Sequence, residues 1–217
     1  MTPINISRLH FPVTTLGPGR RVGIWLQGCS IRCPGCISAD TWSATEGLTT
    51  TGAVVEALLP WLPDAEGITI SGGEPFDQPV ALMALLSELR RLIPLDVLVY
   101  SGYPFGTLAG WLHENPGLID VLISEPYDER APQTMALRGS DNQRFHFLTD
   151  LGRARFSNLD RPIRSEDRRF DIMFDTDGTI WLAGIPAKDD IRLLRQALKE
   201  SGHSAVFSES KPGEALS

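Results

Sequence analysis

The sequence of 217 residues lacks the features of several common protein classes. It has no run of about 18 apolar residues, so we expect no membrane-spanning helix and no membrane partner. Acidic residues number 27 against 20 basic ones, and the formal net charge of −7 argues against a nucleic-acid partner. The first residues have neither the basic region nor the apolar stretch of a secretory signal, so we expect a cytoplasmic protein.

Cysteine is scarce, and its placement is informative. The chain has three cysteines, and they lie close together at Cys29, Cys33 and Cys36. An odd number of cysteines without a recognisable secretory signal makes a poor disulfide set, so we expect reduced thiols. Packing alone does not require three clustered cysteines in an otherwise cysteine-free chain. We therefore favour a metal site over three buried small side chains.

Alternating apolar strands and amphipathic helices are predicted over the first 150 residues. The predicted strands cover residues 21–26, 67–71, 95–100 and 118–124, and the predicted helices cover residues 52–59, 77–93 and 105–113. Asp77 is expected to cap the second helix. This order implies parallel strands with helices outside, and four units are too few for a closed eight-stranded barrel. We therefore predict an α/β fold with a partial, open βα barrel.

The last third of the chain has a different pattern. Residues 151–169 contain six arginines and little apolar periodicity, which predicts a linker or loop. Two apolar runs then flank Asp175-Thr-Asp-Gly178, which indicates a β-hairpin, and an amphipathic helix is predicted over 191–198. We expect a core over residues 1–150, a linker over 151–169 and a hairpin-helix extension over 170–217, with the last ten residues frayed.

Three thiols on one loop are compatible with more than one metal group. Zinc requires a fourth protein ligand, and no histidine lies at a suitable spacing. A ferredoxin cluster uses four cysteines, and this chain has three. Three thiolates can instead hold a [4Fe-4S] cluster with one iron open, and an open coordination position is typical of catalytic metal sites. A non-catalytic iron–sulfur electron carrier remains the alternative.

Two further motifs follow predicted strands, at the edge where open α/β sheets bind ligands. In Ser71-Gly-Gly-Glu74 the glycines allow close approach to the backbone, and the Glu74 carboxylate can accept a hydrogen bond from an ammonium group. Ser101 and Gly102 end the next strand in the same way. In both places an ordinary strand-ending turn is the alternative. Asn142-Gln143-Arg144 is equally compatible with a ligand contact and a structural loop bond, while Trp25, Trp42 and Phe76 are expected to be core residues.

The three-cysteine motif resembles Cys-x3-Cys-x2-Cys, the hallmark of the radical S-adenosylmethionine enzymes. Cys33-Pro-Gly-Cys36 is similar to the corresponding segment of a small subgroup, the anaerobic ribonucleotide reductase activating proteins. Further stretches resemble this subgroup: Gly17-Pro-Gly-Arg20, Gln27-Gly-Cys29, Thr41-Trp42, Ser71-Gly-Gly-Glu-Pro75, Ser101-Gly-Tyr103 and Arg138-Gly-Ser-Asp-Asn-Gln-Arg144. The resemblance covers residues 5–150 and does not extend to the remainder of the chain.

The resemblance implies a set of cofactors and a role for each motif. Cys29, Cys33 and Cys36 would bind three irons of a [4Fe-4S] cluster, and the fourth iron would bind S-adenosylmethionine. The methionyl amino group would be held by Ser71, Gly72, Gly73 and Glu74. Ser101 and Gly102 would contact the ribose or the sulfonium side of the cofactor. No side chain is assigned as a catalytic acid or base.

The resemblance also implies the reaction. A low-potential donor such as flavodoxin or ferredoxin would reduce the cluster, and S-adenosylmethionine would be cleaved to methionine and a 5′-deoxyadenosyl radical. That radical would take a hydrogen atom from a glycine of a glycyl radical enzyme, such as an anaerobic ribonucleotide reductase. A radical enzyme that modifies a peptide or a small metabolite is the alternative, with the C-terminal hairpin and helix as its recognition element.

Overall fold

A seven-stranded mixed sheet forms the centre of the fold. The protein is seen in a computed structural model that describes residues 2–176, 178–187, 189–203 and 208. The strands of the sheet are β1 (Pro3–Val13), β2 (Arg21–Leu26), β3 (Leu48–Thr50), β4 (Gly67–Gly72), β5 (Asp96–Tyr100), β6 (Val121–Ser124) and β7 (Arg144–Phe147). Their order across the sheet is β3-β1-β2-β4-β5-β6-β7.

The four central strands β2, β4, β5 and β6 are parallel, which confirms the predicted strand-helix alternation. Each is a short apolar run, because parallel strands in such folds are covered on both faces. Ile24 of β2 pairs with Ile70 of β4, and neither side chain is exposed. Four strands therefore end along one edge of the sheet, where their loops lie side by side.

Helices α1 (Thr51–Leu58), α2 (Pro79–Leu92) and α3 (Phe105–Glu114) connect the parallel strands. Thr50 caps α1 by accepting a hydrogen bond from Ala53 N. The prediction that Asp77 caps α2 is wrong, because Asp77 lies in a short 3-10 turn and α2 begins after Gln78. The buried face of α2 carries apolar side chains four and three residues apart: Leu82, Leu85, Leu86 and Leu89.

Three antiparallel strands, β1, β3 and β7, extend the parallel sheet and were not predicted. The strand β1 contains two prolines and mixes polar with apolar residues, so it lacks the continuous apolar pattern of the central strands. The strands β3 and β7 contain three and four residues. Such short edge strands depend on pairing with a neighbour, and a local sequence pattern does not reveal that neighbour.

The C-terminal hairpin predicted from the sequence is confirmed. Strand β8 (Phe170–Phe174) pairs with β9 (Ile180–Gly184), and Met173 faces Trp181 across the pair. Helix α5 (Asp190–Glu200) follows and confirms the helix predicted over 191–198. Asp177 of the predicted turn lies outside the described residues, as do the last ten residues apart from Ser208.

The segment predicted as a linker or loop is partly helical. Helix α4 (Asp150–Phe156) covers its beginning, and Phe156 is fully buried against the sheet. The arginine-rich composition concealed this helix, because its two large apolar residues, Leu151 and Phe156, lie at opposite ends of it and give no periodic signal. In the part of the chain that the structure describes, no helix has the length and apolarity needed to cross a membrane.

A buried ion pair lies at the amino-terminal ends of the parallel strands. Arg21 of β2 donates through Nη2 to Asp96 Oδ1 of β5 at 2.6 Å, and both side chains are almost fully buried. Gly67 of β4 lies between them, and a β-carbon there would fall 2.1 Å from Arg21 Nη1. Asp96 also accepts a hydrogen bond from Arg155 of α4. This pair joins three strands and α4 at one point.

We expect Asp96→Asn to lower the free energy of unfolding by about 3–5 kcal/mol, because it leaves the buried Arg21 guanidinium without its counter-charge. Urea unfolding of the metal-free chain measures this change. The exposed Asp64 offers the matched control, Asp64→Asn, which should change stability by less than about 0.5 kcal/mol. Equal effects of the two substitutions would contradict a stabilising role for the pair.

Candidate functional site

A cavity of about 270 Å³ lies at the carboxyl ends of the parallel strands. It brings together every residue that the sequence predicted for metal and cofactor binding. These residues are Cys29, Cys33, Cys36, Ser71, Gly72, Gly73, Glu74, Ser101 and Gly102. They come from the loops after β2, β4 and β5, so the parallel pairing of those strands assembles the site.

The loop that carries the cysteines is folded back on itself. Gly28 N donates to Thr41 O at 2.7 Å, and Cys29 N donates to Trp42 O at 3.3 Å. A tight turn, in which Cys36 N donates to Cys33 O at 3.2 Å, separates the last two cysteines. These backbone bonds direct all three side chains toward one cavity.

The three cysteines are thiols and form no disulfide. Burial raises the pKa of each thiol, and it raises the pKa of Cys36 to about 11. Among the described residues, no three His, Cys, Asp or Glu side chains converge closely enough to hold a single metal ion. The thiols instead surround a cavity, and soft sulfur ligands around such a space suit an iron–sulfur cluster. Metal binding would displace their protons.

Glu74 links the ends of two neighbouring strands beside the thiols. Its carboxylate accepts hydrogen bonds from Ser101 Oγ at 2.8 Å, from Gly102 N at 2.7 Å and from Phe76 N at 3.0 Å. The side chain is 1% exposed, and burial raises its pKa to about 7. Within the described residues Glu74 forms no ion pair with a basic side chain, so a bound cation would relieve the cost of this buried charge.

The glycines of the same segment allow the strand end to approach the cysteine loop closely. A β-carbon on Gly73 would lie 2.0 Å from Gly28 O, so any larger residue would push the two segments apart. Glu74 N donates to that same carbonyl at 2.8 Å. This contact fixes the distance between the cysteine loop and Glu74.

The sequence did not predict a carboxylate contact that holds the cysteine loop. Asp77 accepts hydrogen bonds from Ser30 N at 2.7 Å, from Ser30 Oγ at 2.9 Å and from the Tyr103 hydroxyl at 2.7 Å. Ser30 follows Cys29 directly, so this carboxylate ties the cysteine loop to the ends of β4 and β5. The helix-cap prediction for Asp77 obscured the contact, since both roles use a carboxylate that accepts hydrogen bonds.

Other residues singled out in the sequence have mixed outcomes. Trp25 and Phe76 are buried as expected, while Trp42 is partly buried and borders the cavity with Trp25. Gln143 also borders the cavity. Its side chain accepts a hydrogen bond from Gly139 N and donates one to Glu125 O, so it orders the loop between β6 and β7. Asn142 donates to Pro126 O at 2.7 Å.

Part of the cavity wall comes from the C-terminal extension. Residues 182–187, at the end of β9 and beyond it, border the same cavity as the cysteines, together with Ile191 of α5. No residue-level prediction from the sequence covered this contact. Hairpins and amphipathic helices pack in many ways, and only the tertiary structure reveals which surface they cover.

Comparisons with known proteins agree with this geometry. The family described as 4Fe-4S single cluster domain matches residues 15–146. The anaerobic ribonucleoside-triphosphate reductase-activating protein of Enterobacteria phage T4 is 32% identical over 152 residues, covering 68% of this chain and 96% of the relative. The proteins of that name from Escherichia coli K12 and Vibrio cholerae are 32% and 29% identical, each covering 64% of this chain and 96% of the relative.

We expect the metal-free chain to lose stability as the pH rises from about 4.5 to 7. The folded-state pKa of Glu74 is about 7 against an ordinary value of 4.5, so its stabilising contribution is complete below pH 4.5 and is lost as the pH rises through 7. The free energy of unfolding should therefore fall by about 3 kcal/mol over this pH range. Urea unfolding between pH 4.5 and 8 measures it.

Glu74→Gln should flatten this part of the pH profile, because the amide does not titrate. Glu56→Gln, on the exposed face of α1, is the matched control and should leave the profile unchanged. Parallel profiles for the wild type and Glu74→Gln would contradict a raised pKa at Glu74.

Proposed function

The chain belongs to the 4Fe-4S single cluster domain family, and we propose that it activates a glycyl radical enzyme. Like the anaerobic ribonucleoside-triphosphate reductase-activating proteins, it is a radical S-adenosylmethionine enzyme. Its cofactors are a [4Fe-4S] cluster and S-adenosylmethionine. The observation that supports the proposal best is that three cysteine thiols and an unpaired buried carboxylate border one cavity.

We assign the cluster to Cys29, Cys33 and Cys36. A cluster bound there would supply the one-electron reductive cleavage of S-adenosylmethionine, with the electron coming from an external low-potential donor; the products would be methionine and a 5′-deoxyadenosyl radical able to take a hydrogen atom from the substrate. The protein contributes the three thiolates and the loop that orients them. Because three protein ligands leave one iron open, the cofactor can bind there.

The Ser71–Glu74 segment is assigned to the amino end of S-adenosylmethionine. Glu74 offers a carboxylate to the ammonium group, and Gly72 and Gly73 let the ligand approach the backbone. Ser101 Oγ and Gly102 N already donate to Glu74, so their part in binding is to orient and stabilise that carboxylate. The partly buried site restricts water, which protects a carbon radical from side reactions.

The proposed partner follows from the relatives, whose name states that they activate anaerobic ribonucleoside-triphosphate reductase. The substrate atom would be a hydrogen of a backbone glycine in such a partner, and flavodoxin or ferredoxin would supply the electron. We further propose that residues 1–150 form the cofactor-binding core and that the sheet curves as an open βα barrel. The hairpin and helix over 170–217 would be an extension of that core, connected to it by residues 151–169.

A second candidate function is radical modification of a peptide or a small metabolite. The observation that favours it is the contribution of residues 182–187 to the cavity, since these residues lie beyond the family match that ends at residue 146. A site with an added wall could accept a different hydrogen donor. The two candidates share the cofactor chemistry and differ in the substrate.

We expect the chain, reconstituted anaerobically with iron and sulfide, to release methionine from S-adenosylmethionine when dithionite is added. Replacing any one cysteine with alanine should lower the rate of methionine release by more than about 100-fold. Loss of a residue that only hydrogen-bonds to a metal ligand already lowers metal affinity or activity by about 10–100-fold, and the cysteines would be the ligands themselves. Thr45→Ala, an exposed position on the same loop, is the control and should retain the rate. An iron-loaded chain that releases no methionine would instead be an electron carrier.

Electron paramagnetic resonance distinguishes the two candidate substrates. The reduced, loaded chain, mixed with an anaerobic ribonucleotide reductase encoded in the same genome, should produce a doublet signal of a glycine-centred radical. Substituting the receiving glycine with alanine in that partner should abolish the doublet. Methionine release without any glycine signal would favour the peptide or metabolite substrate.

A further inference from the structure

The C-terminal extension completes the cofactor cavity with residues that the matched part of the relatives does not provide. We define the C-terminal wall as residues 182–187 together with Ile191. These residues border the same cavity as the thiols, and the family match ends at residue 146. The match to the phage relative covers 96% of that relative and 68% of this chain. The match to the Escherichia coli relative covers 96% of that relative and 64% of this chain.

A single carboxylate attaches the hairpin to the core. Asp171 of β8 accepts hydrogen bonds from Thr14 N at 2.6 Å, Thr14 Oγ1 at 2.8 Å, Thr15 N at 3.1 Å and Thr15 Oγ1 at 2.9 Å. Thr15 Oγ1 also lies 3.0 Å from Ala183 O of β9. Both strands of the hairpin are therefore bonded to the segment that follows β1. Hydrogen bonds to a charged group are among the stronger ones in proteins.

Apolar and aromatic contacts hold the same face of the hairpin. Met173 and Ala183 are buried in a cluster with Val13, Leu16 and Trp25 of the core. Arg8 lies over the Trp181 ring, with its guanidinium carbon 3.4 Å from the ring centroid. Arg8 also forms an ion pair with Asp40, in the loop that carries the cysteines. The hairpin is thus connected to that loop.

The segment after the hairpin is fixed at the cavity. Gln133 Nε2 donates to Pro186 O at 2.7 Å, and Ala187 N donates to Asp190 Oδ2 at 2.8 Å. Ile191 of α5 is 9% exposed. The wall therefore presents mainly aliphatic side chains and backbone to the cavity.

In the described part of the chain, the side chains around the cavity carry little charge. Among the described residues that border it there is no Arg, Lys or His, and its acidic group is Glu74. A carboxylate or phosphate on a hydrogen donor would lose its hydration there without gaining a counter-charge. S-adenosylmethionine does not meet this barrier, because its ammonium and sulfonium charges outnumber its single carboxylate.

From these contacts we infer that the C-terminal wall is a specificity-determining part of the site, which encloses the cofactor and excludes anionic hydrogen donors. The inference rests on the proposed function for the identity of the cofactor. On this inference the hydrogen donor reaches the bound cofactor as an uncharged group, and Asp171 acts as a positioning residue for the wall.

Two alkylating reagents of similar size and different charge test the inference on the metal-free full chain. Neutral iodoacetamide and anionic iodoacetate both modify the cavity thiols. The ratio of their rates, neutral over anionic, should exceed the ratio for a small free thiol by about 10-fold, because the aliphatic wall and the Glu74 carboxylate disfavour an anion. Mass spectrometry measures the rate at each cysteine.

Substitutions that detach the C-terminal wall from the core should raise the alkylation rates with both reagents. They should also return the ratio of the two rates toward the ratio for the free thiol. Asp171→Ala removes the carboxylate and should accelerate iodoacetate modification by about 10-fold. Thr15→Val removes two hydroxyl contacts without changing the charge, so it separates opening of the wall from loss of a negative charge. Asp189→Ala removes an equal charge from an exposed position on the same extension and should change neither rate.

The inference fails if the wild-type ratio equals that of the free thiol. It also fails if Thr15→Val, folded by circular dichroism, leaves both rates unchanged, and this second variant decides the matter if Asp171→Ala does not fold. No cofactor enters these measurements. Absence of methionine release would therefore overturn the proposed function while leaving the thiol rates as an independent result.

Discussion

The parallel pairing of β2, β4 and β5 is the constraint on which the site depends. It aligns Leu26 with Gly72 in register, so the cysteine loop begins beside the Ser71–Glu74 segment. The next strand brings Ser101 to the Glu74 carboxylate. A shift of one residue in either pairing would reverse the faces of the strand and separate these groups. The chemistry of the site is therefore a consequence of strand register.

Buried charged side chains have different partners at the two ends of these strands. At the amino ends, the buried Arg21 guanidinium meets the Asp96 carboxylate, and Arg155 adds a second contact. At the carboxyl ends, Glu74 is equally buried and is held by hydroxyl and backbone donors alone. Paired charge holds the elements together, whereas the Glu74 carboxylate has no basic partner among the described residues and is the group that we propose binds the ammonium of the cofactor. Stability and binding are thus separated along one sheet.

The extension changes the surroundings of a site that the matched core already contains. Its hairpin is bonded to the segment after β1, and its following residues border the cavity that the thiols occupy. In the proposed function the core supplies the groups that bind the cofactors, and the extension supplies aliphatic surface next to them. On that proposal, cofactor chemistry and substrate choice reside in different segments of the chain and can change independently.

The sequence by itself determined the central strands, the helices between them, the hairpin and the nine residues proposed to bind metal and cofactor. The predicted elements rest on local signals: apolar runs, helix periodicity and turn residues. The nine site residues rest on the cysteine spacing and on the resemblance to the radical S-adenosylmethionine enzymes. The sequence did not reveal the strand β1, helix α4, the Asp77 contact with Ser30 or the wall over residues 182–187. Only the tertiary structure decided these features, because each depends on contacts between residues far apart in the chain, and no local pattern records which distant partner a segment will meet.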